Sequence, residues 1–191
     1  MSSLNRDFDT LVKKLTAGRD LGNTGFEPVY YLIFPPRQIL DVKRQTTAWT
    51  AKLKNEGWNV TVLSVVSEIE KFVTSHPLWN FWAEGDRRSP QKWTDTNLAL
   101  SNALSGEQGL IRRFSDTLSS IEDDPNAVLL VTDLEGLHPY LKIGAIEGKL
   151  IGQFNVPTIF LYPGVITGQT SLKFLGFYPD DGNYRSVHIG G

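Results

Sequence analysis

The chain has 191 residues, 40% of them hydrophobic and 21% charged, enough for one domain that buries its own core. It has no cysteine, which excludes a disulfide framework and any thiolate zinc site. Nineteen lysines and arginines against 21 acids leave a net charge of −2, so no global field draws the chain to nucleic acid. The densest basic clusters, Arg87-Arg88 and Arg112-Arg113, are only pairs.

The amino end, MSSLNRDFDTLVKKL, holds no apolar run of signal-peptide length, and no window reaches the roughly 18 to 20 apolar residues of a membrane span. A cytoplasmic protein is expected. Residues 5–17 place Phe8, Leu11, Val12 and Leu15 at helical intervals, which predicts a short amphipathic helix. The glycine-rich run GRDLGNTGFEP (18–28) is turn chemistry. VYYLIF (29–34) is then a continuous aromatic and β-branched run stopped by Pro35-Pro36, the pattern of a strand buried on both faces. Ile39, Val42, Thr46, Trp49 and Leu53 follow as one stripe of a helix, with Gly57 where a left-handed C-cap belongs. NVTVLSVV (59–66) reads as the second strand of a βαβ unit.

SEIEKFVTS continues as a helix. From about 76 to 96 the chain crowds three of its five tryptophans beside prolines and charges, and an irregular excursion with a short helix near Trp79–Ala83 is expected. Ser105 and Gln108 have the form of a capping box for a helix carrying Ile111, Phe114, Leu118 and Ile121. AVLLVTD (127–133) is the third buried strand. Pro139 predicts a helix start running to about Phe154, and VPTIFLY (156–162) is the fourth strand. SLKFLGF and NYRSVHI around PDDGN predict an antiparallel C-terminal hairpin over 171–189. The fold expected is a single three-layer αβα domain over 1–191, with a mostly parallel sheet and that hairpin.

Ligands of open parallel sheets sit at the carboxyl ends of the strands. Strand one ends in FPPRQI, where two prolines remove amide donors, and neither a G-x-x-x-x-G-K-[ST] nor a G-x-G-x-x-G pattern occurs. Strand three ends in VLLVTDLEGLHP, so Asp133, Glu135 and His138 form a loose cluster that can meet a divalent ion. The plainer reading is that Asp133 satisfies loop amides and His138 caps the next helix. No G-x-S-x-G elbow is present, and His188, in the alternating tail, is expected to face solvent. No catalytic residue, cofactor or metal site is assigned. Trp79, Phe81, Trp82 and Trp93 either pack back on the sheet or, with Arg87 beside them, anchor a partner.

The segment LYPGVITGQTSLKFLGFYPDDGNYR resembles the C-terminal signature of the BrxB family of bacteriophage exclusion (BREX) defence systems. The matching positions are Tyr162-Pro163-Gly164, Gly168, Ser171-Leu172, Leu175-Gly176, Asp180-Asp181 and Asn183-Tyr184-Arg185, with the family's second tyrosine missing. VLLVTDLEGLHPYLK and PVYYLIFPPRQILDVK are also similar to the family, with Lys142 where an arginine is usual. The resemblance implies a non-catalytic accessory subunit beside a large ATPase and an alkaline-phosphatase-like protein of the PglZ type, with no direct nucleic-acid or membrane contact. On that reading Asp181, Tyr184 and Arg185 frame a docking surface, or else the tail closes a sheet edge. The alternative is a degenerate nucleotide- or metal-binding domain that uses Asp133, Glu135 and His138 without a phosphate loop.

Overall fold

The computed structural model of the protein describes residues 3–20, 27–168, 171–180 and 186–191. Its elements are α1 (Ser3–Asp20), β1 (Val29–Phe34), α2 (Ile39–Asn55), β2 (Asn59–Ser64), α3 (Val65–Ser75), α4 (Trp79–Arg88) and α5 (Trp93–Ser105). They continue with α6 (Leu110–Ile121), β3 (Ala127–Thr132), α7 (Ile143–Leu150), β4 (Thr158–Thr167), β5 (Ser171–Phe174) and β6 (Val187–Gly190). The sheet runs β2-β3-β4-β1-β6, every one of these neighbours parallel, and β5 joins β4 antiparallel. The α/β architecture with a mostly parallel sheet is as expected.

The period of two along each strand builds two cores. Val29, Tyr31 and Ile33 of β1 point into one layer, with Phe72, Leu104, Phe114 and Ile146 from α3, α5, α6 and α7. Tyr30, Leu32 and Phe34 point into the other, with Phe8 and Leu11 of α1 and Val42, Trp49 and Leu53 of α2. Because β1 and β3 have helices on both faces, every residue of each is buried. The second layer is locked by Phe8 stacked on Trp49 at 4.5 Å and by Lys52 Nζ on Asp9 Oδ1 at 2.6 Å. Gly57 ends α2 with φ 87°, the left-handed conformation that the sequence called for.

The tail differs from its expected strand pairing. The antiparallel hairpin is made by β4 and β5, from Gly164↔Phe174 to Thr167↔Ser171. β4 leaves the parallel ladder at Pro163, opposite Phe34, where proline's missing N–H does no harm. The second tail strand does not return to β5. It crosses to β1 and pairs in parallel, Tyr30↔Val187 to Ile33↔Gly190, because β1 is a core strand whose outer backbone groups need a partner. His188 is therefore half-buried, its ring edge-on to Tyr31 at 5.8 Å, and does not simply face solvent.

Other departures are local. The tryptophan-rich stretch is two ordered helices, α4 and α5, joined by a 3₁₀ turn at Pro90–Lys92. Ser105 is the last residue of α5 and its hydroxyl donates back to the Asn102 carbonyl, so it caps nothing; α6 starts after Gly109. After β3 a 3₁₀ turn covers Leu134–Leu137, and the amides of Tyr140 and Leu141 both fold back on the Leu137 carbonyl. The chain turns once more before α7 begins, four residues after Pro139.

Candidate functional site

The first place to look is set by topology. β1 hands the chain to α2 on one face of the sheet, whereas β3 hands it toward α7 on the other. Between those two exits, over the end of β4, the strand ends part and leave a crevice, the usual ligand position in this architecture. A cavity of about 230 Å³ lies there, walled by Phe34 of β1, Val42, Lys43 and Thr46 of α2, Leu161 of β4 and the acids that follow β3.

Asp133 and Glu135 are brought together in this crevice, as the spacing after strand three predicted. What fills the space between them was not predicted. Lys43 reaches over from α2 and sets its ammonium 2.9 Å from Asp133 Oδ1 and 2.7 Å from Glu135 Oε1. The other carboxylate oxygen of Asp133 accepts from the Ser64 hydroxyl at 2.6 Å and the Thr132 hydroxyl at 2.8 Å. Ser64 also caps α3 by accepting from the Ser67 amide, so the end of β2, the start of α3 and the end of β3 are tied at one carboxylate. Asp133 adopts φ 58°, a left-handed conformation that aspartate tolerates better than most residues.

The electrostatics fit a site whose space between the acids is taken by a lysine. Burial alone would raise the Asp133 carboxyl, but the donors from Ser64, Lys43 and Thr132 together outweigh it and hold the pKa below its ordinary value. The Lys43 ammonium is held above its ordinary value, chiefly by Glu135, with burial opposing and Asp133 adding to the rise. One cation pairs with two anions, so one negative charge is left over, and the two hydroxyls donate to Asp133 alone. Chemically this is a structural clamp: a carboxylate that already accepts three donors has little capacity left for a ligand.

His138 does not join the two acids. Its Nδ1 lies 2.6 Å from the Tyr178 hydroxyl, and its ring meets Phe177 and Tyr178 edge-on. Lys142 Nζ sits 5.9 Å over the Tyr178 ring. The segment after β5 thus packs on the β3–α7 connection, and His138 belongs to that contact and caps no helix. Among the described residues no group of three or more His, Asp or Glu side chains is placed to hold a metal ion. The candidate docking residues Asp181, Tyr184 and Arg185 lie outside the described residues.

The second place to look is the α4–α5 pair. Trp82 and Trp79 divide sharply. Trp82 is buried and stacks on His76 at 4.4 Å, so it is a core residue of this lobe. Trp79 is 39% exposed, Phe81 74%, Trp93 57% and Leu98 64%, and Leu78 is half exposed. Large apolar side chains left in water on two packed helices are an unsatisfied surface. Arg87 and Arg88 both pair with Glu84 of their own helix and remain largely exposed. Lys43, Ser64 and Thr132 went unread in the sequence, since no spacing motif links a lone lysine on one helix to acids ninety residues later.

A family model described as "BREX protein BrxB" matches residues 51–189. The match starts within α2, after the β1 stretch, and takes in the turn following β3 and nearly all of the tail. Comparison with curated proteins and with solved structures gives no match. No helix among the described residues is long and apolar enough to cross a membrane. With well over half its length matched, the chain belongs to the BrxB family and is a component of the BREX defence system.

Proposed function

We propose that the chain is a non-catalytic adaptor of a BREX-type anti-phage system, working in the cytoplasm through protein–protein contact. The observation that carries this reading is the exposure of large apolar side chains on α4 and α5, Trp79, Phe81 and Trp93, on helices one of which also carries an arginine pair. Tryptophan and arginine dominate the energetics of protein interfaces, and large apolar side chains left exposed are their usual anchors. The strand-end crevice supports the same conclusion by contrast. Its volume of about 230 Å³ falls below the ~300–1,000 Å³ of usual ligand pockets, and Lys43 occupies the space between its acids.

The candidate partners, taken from the family's setting, are the PglZ-type alkaline-phosphatase-like protein and the large BREX ATPase. The test is co-expression of the three proteins, with purification on this chain and mass by light scattering. A stable complex with either component, weakened at least tenfold when Trp79 and Trp93 are both changed to alanine, is the expected result. A chain that purifies alone and ignores both components would overturn the adaptor reading. Magnesium-dependent ATP binding that Asp133→Ala abolishes would instead restore the degenerate nucleotide-binding alternative.

A further inference from the structure

The exposed apolar side chains do not exhaust what the molecule offers a partner. The sheet ends at β2, which pairs with β3 on one side and has no described strand on the other. The direction of its free backbone groups follows from the register. Asn59 lies opposite Ala127 and its amide donates to the Asn126 carbonyl at 2.8 Å. In a parallel ladder alternate residues bond to the same neighbour, so Asn59, Thr61 and Leu63 face β3 while Val60 and Val62 turn their amides and carbonyls outward. These are obligatory hydrogen-bonding groups, and only extended backbone, or water in its absence, matches their spacing.

Natural edge strands are usually blunted by charge, proline, a bulge or shortness. β2 has none of these. Its sequence NVTVLS carries no charge and no proline, its pairing with β3 is continuous over six residues, and Val62 leaves 46% of its surface in water. The opposite edge of the sheet, β6, is only four residues long and is packed by α1. A groove of about 580 Å³ accompanies the amino-terminal half of β2, with Lys54 and Gly57 from the end of α2 on one wall and Ser120 and Ile121 of α6 on the other. The amino-terminal half of the strand edge is thus flanked by both layers of helices, and the rest is open.

We propose that this edge is a strand-addition site that takes an extended, largely uncharged segment of a partner protein as a further strand beside β2. The inference rests on the adaptor reading and names a surface for it. Main-chain hydrogen bonds to Val60 and Val62 supply affinity, and alternate side chains of the segment cover Val62 on one face and meet the Thr61–Ile121 side of the groove on the other. A second copy of this chain fits less well. An edge of six residues is roughly 20 Å long, so edge-to-edge contact of the sheets offers about 200 Å² a side. Stable interfaces need about 800 Å² per partner. A single segment entering the groove is contacted by β2 and by both walls.

The test uses the full chain co-expressed with the PglZ-type protein and the large ATPase. Val62→Pro removes an outward amide without breaking the β2–β3 ladder, and Val62→Lys places a charge at the edge. Both should keep the fold, checked by an unchanged circular dichroism spectrum and a melting temperature within a few degrees. Both should weaken the complex at least tenfold, and in the wild-type complex the Val60 and Val62 amides should exchange with deuterium at least tenfold more slowly than in the free chain. A wild-type complex that both variants leave intact overturns the strand-addition site while the adaptor reading stands. A wild-type chain that captures neither component overturns both. A wild-type dimer of this chain, lost in Val62→Lys, assigns the edge to self-association and overturns the proposal.

Discussion

The strand-end crevice and the α4–α5 lobe are built on opposite plans. In the crevice every charge meets a countercharge or a hydroxyl: Lys43 spans Asp133 and Glu135, and Ser64 and Thr132 complete the aspartate. In the lobe Trp82 is buried on His76, while its neighbours Trp79, Phe81 and Trp93 are left in water. The place where this architecture ordinarily takes a ligand is closed by the protein itself, and the outlying helices carry the unmet surface. A site for chemistry leaves polar capacity open and hides its apolar area, whereas a docking site does the reverse. On the proposed adaptor reading, the lobe and not the crevice is the working surface.

The largest effect expected lies in the rigid half. A Cβ on Gly164 would stand 2.4 Å from the Tyr162 ring and 2.6 Å from the Lys173 carbonyl oxygen, and the latter is backbone that cannot swing aside. Gly164→Ala should destabilise the fold by roughly 3 kcal/mol, read as the shift of a urea unfolding midpoint. A change below about 1 kcal/mol would show that the β4–β5 hairpin moves freely against the sheet. The lobe should then split by burial. Trp82→Ala empties a buried site and should cost about 3 kcal/mol. Trp79→Ala and Trp93→Ala should each stay within about 1 kcal/mol of wild type and lower partner binding instead. If all three lose stability equally, the exposed rings serve the fold and the contrast collapses.

How much of this was readable in the sequence depends on how local each cause is. β1 and β3 were legible because burial on both faces leaves an unbroken apolar run, and Gly57 because a helix end needs a left-handed residue. The tail was half legible. Asp-Gly chemistry suggests a turn between neighbouring segments, yet β6 goes to β1, a choice decided by an open strand edge far away in sequence. The prolines at 77 and 90 looked like breakers in the tryptophan-rich stretch. They stand just before α4 and at the turn leading into α5, where proline fits a first turn. In the candidate site Asp133 and Glu135 could be found from the acid that ends a buried strand. Their partner Lys43 could not, since only the crossover between β1 and β2 brings α2 over the end of β3.

The smallest effect tests whether the crevice is a charge clamp at all. Asp133 is held below the ordinary aspartate value of 3.8, so its contribution to stability is complete above that pH and is lost as pH falls through it toward the folded-state pKa. Lys43 is held above the ordinary lysine value of 10.5, so its contribution is complete below that pH and is lost only as pH rises through the still higher folded-state pKa. Between these limits the clamp is constant. Lys43→Met keeps an apolar stem and removes the charge. Because Lys43 is half exposed, solvent screening limits the expected loss at pH 7 to about 1 kcal/mol. That gap should shrink in 1 M salt, and it should narrow as pH falls below 3.8 toward the depressed folded-state pKa of Asp133, where that carboxylate takes a proton and no longer needs a cation. Unfolding curves of the two proteins at pH 7 and pH 3 decide it. A gap that does not narrow at all between pH 7 and pH 3 would mean that the Lys43 charge serves something other than Asp133, and the crevice would then no longer be the electrostatically closed counterpart of the α4–α5 surface.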